Sequence, residues 1–437
     1  MYVKNFEKNL LEKIKKRKLS VGIIGLGYVG LPLTILLSKY IYKLYGFDND
    51  KNKIKKLKKN ISYLDRIDKR LLKRISKKTV YNHDYSNIKN CDVIIFCVPT
   101  PLKNNKPDLS YLKDSIKVIF DNLKKGQVLI IESTSYPRTT REELVDKLKN
   151  DFKIGEDIFV GFSPERIDPG NNENSLEKIP KIVSGYSNKC RNIIYQFYKI
   201  AFKKVIKASS LEAAEFSKLL ENIYRSVNIG FINEMKIVAN KFGLDIFDIL
   251  NLAETKPYGF VRFNPGPGIG GHCIPIDPEF LYWKAKKIGI NAEFIKLSAK
   301  TNIKIISYIR NLVLKNLNKK KINYSKSKIL ILGISYKKNI DDLRESSSLK
   351  LIKLLNKNGI KSISICDPYI KTNYIKTREF NSKIKNIKLT SSNLSKFDIV
   401  ILMTDHDIFN YKIIKNNSKF IIDCRGKFKV SDKIIRG

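Results

Sequence analysis

Short apolar runs alternate with longer amphipathic stretches over the first half of the chain. VGIIG (21–25), KLYGFD (43–48), DVIIFCV (92–98), QVLIIEST (127–134) and DIFVGFSP (157–164) each fit a buried strand, and KIVSGYS (181–187) fits a further one. Runs of this length, separated by helical segments such as the Lys-rich stretch between 48 and 92, predict a parallel sheet with crossover helices. From Leu211 to about Lys241 the period changes. Leu220, Ile223, Val227, Phe231, Met235 and Val238 recur at three- to four-residue steps, with Gly243 just past the end. That is the pattern of one long glycine-capped helix, suited to a connector and a dimer seam. A Pro/Gly-rich loop, FNPGPGIGGHCIPIDP (263–278), comes next, then more helix to about Leu317. Past a linker-like YSKSK (324–328), a second βαβ series runs through KILILGISY (328–336), SISICDP (362–368), FDIVILMTD (397–405) and KFIIDCRG (419–426).

The fold class expected is therefore α/β, with two nucleotide-binding-type parallel-sheet domains joined by a long central helix and a helical middle domain. The boundaries read as 1–209, 210–322 and 323–437. A length of 437 residues agrees with two or three domains. Hydrophobic content of 43% and 10% aromatics fit a globular chain rather than a disordered one. No apolar run approaches the ~18–20 residues that cross a bilayer. The first twenty residues scatter charges where a secretory signal needs an apolar core, so a cytoplasmic location with no membrane partner is expected.

The formal charge of +42 raises nucleic acid as a partner. Basic residues are spread over the whole length, however, and Lys dominates over Arg, the better residue for bidentate phosphate and base contacts. With no RNA-recognition aromatic signature and no zinc-finger spacing, no specific nucleic-acid partner is expected. The charge would instead steer an anionic substrate. The cysteines at 91, 97, 190, 273, 366 and 424 form no CxxC, and in a cytosolic chain they stay reduced. Cys91, Cys97 and Cys366 lie in or beside strand-like runs as small core residues. Cys273 has different surroundings.

Three features carry candidate chemistry. Gly25-Leu26-Gly27-Tyr28-Val29-Gly30 follows a strand and opens a helix, the context in which GxGxxG binds a dinucleotide. Gly25 permits the tight turn, Gly27 the approach of a pyrophosphate and Gly30 close helix–strand packing, so the fold is Rossmann-like. Asp48 ends the next strand near the offset of a ribose-binding acid, which favours NAD over NADP. Second, Gly270-Gly271-His272-Cys273 would bring a thiol close to a ligand, and Asp277 follows four residues later. Zinc fails on ligand count, since the chain holds three His and no second cluster with ligand spacing; a Cys that merely fills a gap in the loop stays open. Third, Lys218 and Asn222 share a helix face, and Glu165 follows a strand end, where open parallel sheets gather ligands.

GYVGLP (27–32), VPTP (98–101), EST (132–134), SPERIDPG (163–170), AAEFSKLLENIYRSVNIGFINE (213–234), GGHCIPIDP (270–278), YKKNIDDLRESS (336–347) and DCRG (423–426) occur in the order found in the UDP-glucose/GDP-mannose dehydrogenase family. The chain resembles that family over nearly its whole length. TKPYGF (255–260) before the Cys loop is similar to the bacterial UDP-N-acetylhexosamine branch. The resemblance implies a four-electron, NAD-dependent oxidation of a sugar C6 alcohol to the uronic acid, for surface-polysaccharide synthesis. It implies a UDP-sugar substrate and a homodimer or higher oligomer. Cys273 would carry a thiohemiacetal and then a thioester. Lys218 and Asn222 would hold the substrate oxygen, and Asp277 with a water would act as base. Glu165 would assist thioester hydrolysis, with Thr134 placing the water.

By the same resemblance Gly25, Gly27, Tyr28, Val29, Gly30, Asp48, Pro99, Thr100, Thr134 and Arg344 would bind the cofactor. Glu165, Arg166, Lys218, Asn222, Arg262, Gly270, Tyr336, Lys337 and Arg425 would bind the substrate. Two positions depart from the family pattern. Arg138 stands where Gly is common, and the Arg supplied across the dimer has two candidate counterparts, Lys256 and Arg262. Alternatives are a UDP-glucose 6-dehydrogenase, a two-electron Rossmann hydroxyacid or alcohol dehydrogenase, and a basic binding protein on a disused scaffold. The joint presence of Lys218, Asn222, Cys273 and Asp277 argues against the last.

Overall fold

A computed structural model describes residues 5–64, 67–167, 176–375 and 383–437. The chain divides into two compact units. One holds the residues up to Glu221 with Trp283–Ile288, and the other holds Asn222–Tyr282 with Gly289–Gly437. In the first unit the strands are β1 (Ser20–Ile24), β2 (Lys43–Phe47), β3 (Thr79–Asn82), β4 (Val93–Phe96), a small hairpin β5 (Leu102–Lys103) and β6 (Lys106–Pro107), β7 (Val128–Ile131), β8 (Phe159–Phe162), β9 (Lys181–Gly185) and β10 (Val205–Lys207). The main sheet has the order β10-β9-β8-β7-β4-β1-β2-β3. Its central strands β4 and β7 are VIIF and VLII, buried at every position, as expected of a parallel sheet covered on both faces.

Two sequence expectations change. The Lys-rich stretch contains helices Lys51–Lys58 and Lys69–Ser76, N-capped by Asp50 and Asp68, but also β3, which pairs in parallel with β2. TVYN is too short to stand out beside its basic neighbours. The other change is direction. β9 runs antiparallel to β8, with Phe162 opposite Ser184. An antiparallel return needs no crossover helix, so the first residue of β9 lies just beyond the carboxyl end of β8.

The second unit contains β11 (Lys328–Leu332), β12 (Ser362–Cys366), β13 (Tyr374–Ile375), β14 (Ile384–Asn386), β15 (Ile399–Leu402), β16 (Ile421–Asp423) and β17 (Ile434–Arg436). Their order is β13-β14-β12-β11-β15-β16-β17, parallel except for β13. Helix Glu293–Lys319 buries Ile305, Ile309, Val313 and Leu317 at helical spacing, in the same apolar core as Ile352 and Leu355 of helix Ser347–Lys357.

Helix Leu211–Lys241 has the expected bounds, and Gly243 caps it at φ +74°. Its polarity is mixed: beside apolar Leu219, Ile223 and Ile232 it buries polar side chains, and it leaves large apolar ones outside. Glu215, Asn222, Ser226, Asn233 and Lys236 are buried, whereas Phe216, Leu220, Tyr224, Phe231 and Val238 are exposed. The apolar period located the helix correctly, but its residues divide: Ile223 is buried, while Leu220, Phe231 and Val238 are left uncovered by the chain itself.

Glu215 shows what a buried polar position does. Its carboxylate accepts the Arg138 N–H at 2.7 Å, the Thr140 N–H at 2.8 Å and the Thr140 hydroxyl at 2.7 Å. It thereby pins a turn in which Arg138 adopts φ +82°, the left-handed region that favours Gly. Burial outweighs these hydrogen bonds and pushes the Glu215 carboxyl up to about 7. The folded state therefore binds this proton more tightly than the unfolded chain. Stability from this group is lost as pH rises from the unfolded value of 4.5 through the folded value near 7. Glu215→Gln should gain about 2 kcal/mol on the wild type between pH 5 and pH 8, read from paired denaturation curves. A constant difference across that range would contradict the assignment.

Candidate active site

The first unit builds the dinucleotide loop at the carboxyl end of β1. Gly25 has φ +90°, and a Cβ there would lie 2.7 Å from the Cys97 carbonyl oxygen; a Cβ on Gly30 would lie 1.9 Å from the Gly25 carbonyl oxygen. A Cβ on Gly27 would meet nothing within 4 Å. Gly25 and Gly30 are therefore required by the fold, whereas at Gly27 the fold itself leaves room for a side chain. Tyr28 is half exposed and Val29 precedes helix Gly30–Leu37. Asp48, just past β2, is buried and accepts the Leu26 N–H at 3.0 Å. Lys53 lies 3.2 Å from the same carboxylate. Pro99 and Thr100 follow β4, Pro99 exposed and Thr100 buried. An open glycine turn beside a buried strand-end carboxylate fits the pyrophosphate and ribose of NAD.

Glu165 also belongs to the first unit, three residues past β8. Its Oε1 accepts the N–H groups of Arg166 and Ile167, both at 2.7 Å, and its Oε2 accepts from Lys181 Nζ at 3.3 Å. The Arg166 guanidinium pairs with Glu221 at 2.6 Å and donates to the Pro180 carbonyl at 3.0 Å. Thr134 stands partly buried past β7, two residues after Glu132, which lies 3.0 Å from Lys181 and accepts the Tyr198 hydroxyl. Burial pushes the Glu132 carboxyl up. Burial opposes the charge on Lys181, but the Glu132 and Glu165 carboxylates outweigh it and hold the ammonium above its ordinary value. Residues 168–170 of the SPERIDPG motif lie outside the described residues.

In the second unit the Cys loop is held from several sides. Half-buried Cys273 sits one turn before helix Asp277–Lys287, and the Asp277 N–H donates to the Cys273 carbonyl at 2.8 Å. Asn222 donates to the buried Asp277 carboxylate at 2.5 Å. Lys218 stands one turn before Asn222 on the long helix. Gly270 and Gly271 allow the loop to lie against Tyr336, where a Cβ would come within 2.7 Å and 2.8 Å of its side chain. The Gly271 N–H donates to the Arg344 carbonyl at 2.9 Å. Burial, then the Arg344 guanidinium, hold His272 below its ordinary value, so the imidazole is neutral at pH 7.

Further back, Asn233 accepts the Gly266 N–H at 2.9 Å and Lys236 donates to the Gly266 carbonyl at 3.1 Å. Gly266 in turn faces Arg425, whose Nε donates to the Met403 carbonyl at 2.7 Å. The loop thus gathers Asn222, Gly270, Cys273, Asp277, Tyr336, Arg344 and Arg425 around one unit's strand ends. Lys337 follows Tyr336, partly buried. The Arg344 guanidinium grips Asp342 at 2.6 Å. Arg262 is drawn to Glu254 at 2.6 Å and Asn251 at 2.8 Å, while Lys256 lies over the Tyr258 ring.

Sequence reasoning passed over Lys53, Lys181, Asn233 and Lys236. A signal existed for the last two, since they fall three and four turns beyond Asn222 on its face. Among the described residues no group of His, Cys, Asp or Glu could hold a metal ion, and no helix is long and apolar enough to cross a membrane. The glycine geometry gives a direct test. Gly27→Ala should keep the wild-type melting temperature while weakening NAD binding by about tenfold or more, and Gly30→Ala should destabilise by about 3 kcal/mol. Equal melting temperatures for the two variants in calorimetry would contradict this division.

Comparison with known proteins gives the chain a family. Residues 19–202 match the NAD binding domain of the UDP-glucose/GDP-mannose dehydrogenase family, 212–304 its central domain and 330–430 its UDP binding domain. The chain is 35% identical over 358 residues to the UDP-N-acetyl-D-glucosamine 6-dehydrogenase of Pseudomonas aeruginosa, covering 81% of this chain and 84% of that one. It is 32% identical over 419 residues to the UDP-N-acetyl-D-mannosamine dehydrogenase of Pyrococcus horikoshii, covering 94% and 96%. A solved structure of a UDP-D-ManNAc dehydrogenase from Pyrococcus horikoshii superposes with a TM-score of 0.83 at 30% identity, over 94% of this chain and 97% of that one. With a dinucleotide loop in one unit, a glycine-bound cysteine loop in the other and all three family domains in order, the chain belongs to the UDP-glucose/GDP-mannose dehydrogenase family of NAD-dependent nucleotide-sugar dehydrogenases.

Proposed function

We propose that the protein oxidises the C6 hydroxyl of a UDP-N-acetylhexosamine, UDP-N-acetylglucosamine first among them, through to the carboxylate. The observation that carries this reading is the Cys273 loop, where a half-buried thiol stands one turn from an Asp277 carboxylate that is itself bonded to Asn222. The relatives named above act on the gluco and manno forms of this substrate class. Residues 1–209 serve the cofactor, 210–322 self-association and the cysteine loop, and 323–437 the UDP end.

The residues divide the work. NAD, when bound, supplies the hydride acceptor for each of the two oxidation stages. Asp277, through a water, takes the proton of the C6 hydroxyl. Lys218 and Asn222 stabilise negative charge on the substrate oxygen. The Cys273 sulfur adds to the aldehyde carbon, so the half-oxidised sugar stays bound as a thiohemiacetal until it becomes a thioester. Thr134 places a water and Glu165 takes its proton as that water attacks the thioester. Tyr336, Lys337 and Arg425 hold the nucleotide diphosphate, Arg166 and Gly270 the sugar, and Arg344 the cofactor.

The exposed apolar face of helix Leu211–Lys241, with Leu220 at 54% and Phe231 at 56%, supports self-association of the chain through that face, with Arg262 offered to the partner's substrate. Two measurements test the reading. NAD⁺ with a panel of UDP-N-acetylglucosamine, -galactosamine and -mannosamine and UDP-glucose should yield two NADH per N-acetylhexosamine, and Cys273→Ser should lower steady turnover by about a thousandfold or more. One NADH per sugar, or turnover of UDP-glucose alone, would sink it. Light scattering should show an oligomer that Leu220→Asp/Phe231→Asp converts to monomer; an unchanged mass would exclude this face.

A further inference from the structure

Behind Glu165 lies a buried ion cluster that the steps above do not use. Lys181 opens β9, and the antiparallel pairing sets it beside the Ser163–Glu165 segment that leaves β8. It is 3% exposed. Its ammonium lies 3.0 Å from Glu132 Oε1, 3.3 Å from Glu165 Oε2 and 3.4 Å from the Pro164 carbonyl. The rings of Tyr198 and Phe202 close over it at 5.2 and 5.4 Å. The titratable groups facing the cluster are Glu132 after β7, Glu165 after β8, Tyr198 of helix Asn188–Lys199 and Cys97 after β4. The neighbouring Arg166 guanidinium is committed to Glu221.

Among the described residues, two buried carboxylates share one buried ammonium, and their other hydrogen-bond partners set them apart. Glu165 accepts two backbone N–H groups as well as Lys181. Among the described residues, none hydrogen-bonds the Glu132 Oε2 atom. The hydrogen-bond donors of the cluster are therefore gathered on Glu165 and fewer reach Glu132.

We propose that Lys181 is the positioning residue for Glu165, aiming one carboxylate oxygen and keeping the group ionised for thioester hydrolysis, with Glu132 and Tyr198 fixing Lys181 in turn. This rests on the reading of Glu165 as the hydrolytic base. In that step the water oxygen bonds to the thioester carbon, the water proton passes to Glu165, the C–S bond breaks and its electron pair leaves with the Cys273 sulfur. The carboxylic acid released then ionises.

Lys181→Met alone strands two buried acids, so the decisive variant is Lys181→Met/Glu132→Gln, which keeps the net charge of the cluster. Wild type, this variant and Glu165→Gln are mixed rapidly with NAD⁺ and whichever of UDP-N-acetylglucosamine and UDP-N-acetylmannosamine turns over. The double variant should release two NADH per site in a rapid phase and then turn over about thirtyfold more slowly or worse, with KM for the sugar nucleotide within about threefold of wild type. The acid limb of its kcat profile should move up by about one pH unit, because a neighbouring cation favours the ionised carboxylate. Lys181→Gln, which keeps an N–H donor without the charge, should move the same limb and serves if the double variant does not fold. Wild-type turnover with an unmoved limb would overturn the role of Lys181. If Glu165→Gln itself turns over without stalling after the rapid phase, the assignment of Glu165 as base fails. A stalled Glu165→Gln beside an unaffected double variant removes Lys181 alone.

Discussion

The constraint on which the rest depends is that helix Leu211–Lys241 turns a polar face inward. A polar group withdrawn from water must find a partner, and each one that does fixes the position of something else. Glu215 fixes the turn at Arg138 and Thr140. Asn222 fixes the Asp277 carboxylate, and Asn233 with Lys236 fixes both backbone groups of Gly266. Asn302, from helix Glu293–Lys319, donates to the Ser226 carbonyl and accepts from Asn233, so the inner face is tied to a second helix as well. An apolar inner face would have packed as tightly, but it would have left the long Pro/Gly loop without anchors.

The loop answers with glycine where bulk is excluded. Gly270 and Gly271 press on Tyr336, and Gly268 adopts φ +117° with Ser347 within 2.9 Å of where a Cβ would be. Such a path loses conformational entropy on folding, so it persists only because hydrogen bonds at Gly266 and Gly271 define it from both ends. Cys273 and Asp277 lie on the one turn of chain where this irregular path becomes helical. Their separation is therefore set by helix geometry and not by the looser loop before it.

Much of this was legible in the sequence. β1, β4 and β7 announce themselves as unbroken apolar runs, and the spacing from Gly25 to Asp48 is read directly. The limits are physical as well. β3 is four residues long and depends on β2 for its existence, so no local pattern marks it. The direction of β9 is set by its connection, which composition does not encode. For the long helix, periodicity located the element, and Leu220, Phe231 and Val238 of that period are exposed, as a seam between copies requires, but nothing in it told that Glu215, Asn222, Asn233 and Lys236 lie inside with Ile223 and Ile232. Lys53 and Lys181 read as two more lysines in a lysine-rich chain. What distinguishes them is a carboxylate distant in sequence or across a turn, and only the fold supplies that.

The same contrast explains the charge of +42 without a dedicated partner for it. Buried acids are many: Asp48, Glu132, Glu143, Glu165, Glu215, Asp277, Asp342, Asp367 and Asp423 all lie inside, whereas the buried Lys, Arg and His among the described residues are Lys181, Lys236, Arg436 and His406. Each interior acid accepts hydrogen bonds or pairs with a cation, and its replacement would strand those donors. Solvated lysines have no such tie, since their stems lie on the surface and their heads stay in water. Drift in composition therefore runs freely toward lysine outside while the interior acids are held in place. The protein can become strongly basic without any change in the groups that shape its loops.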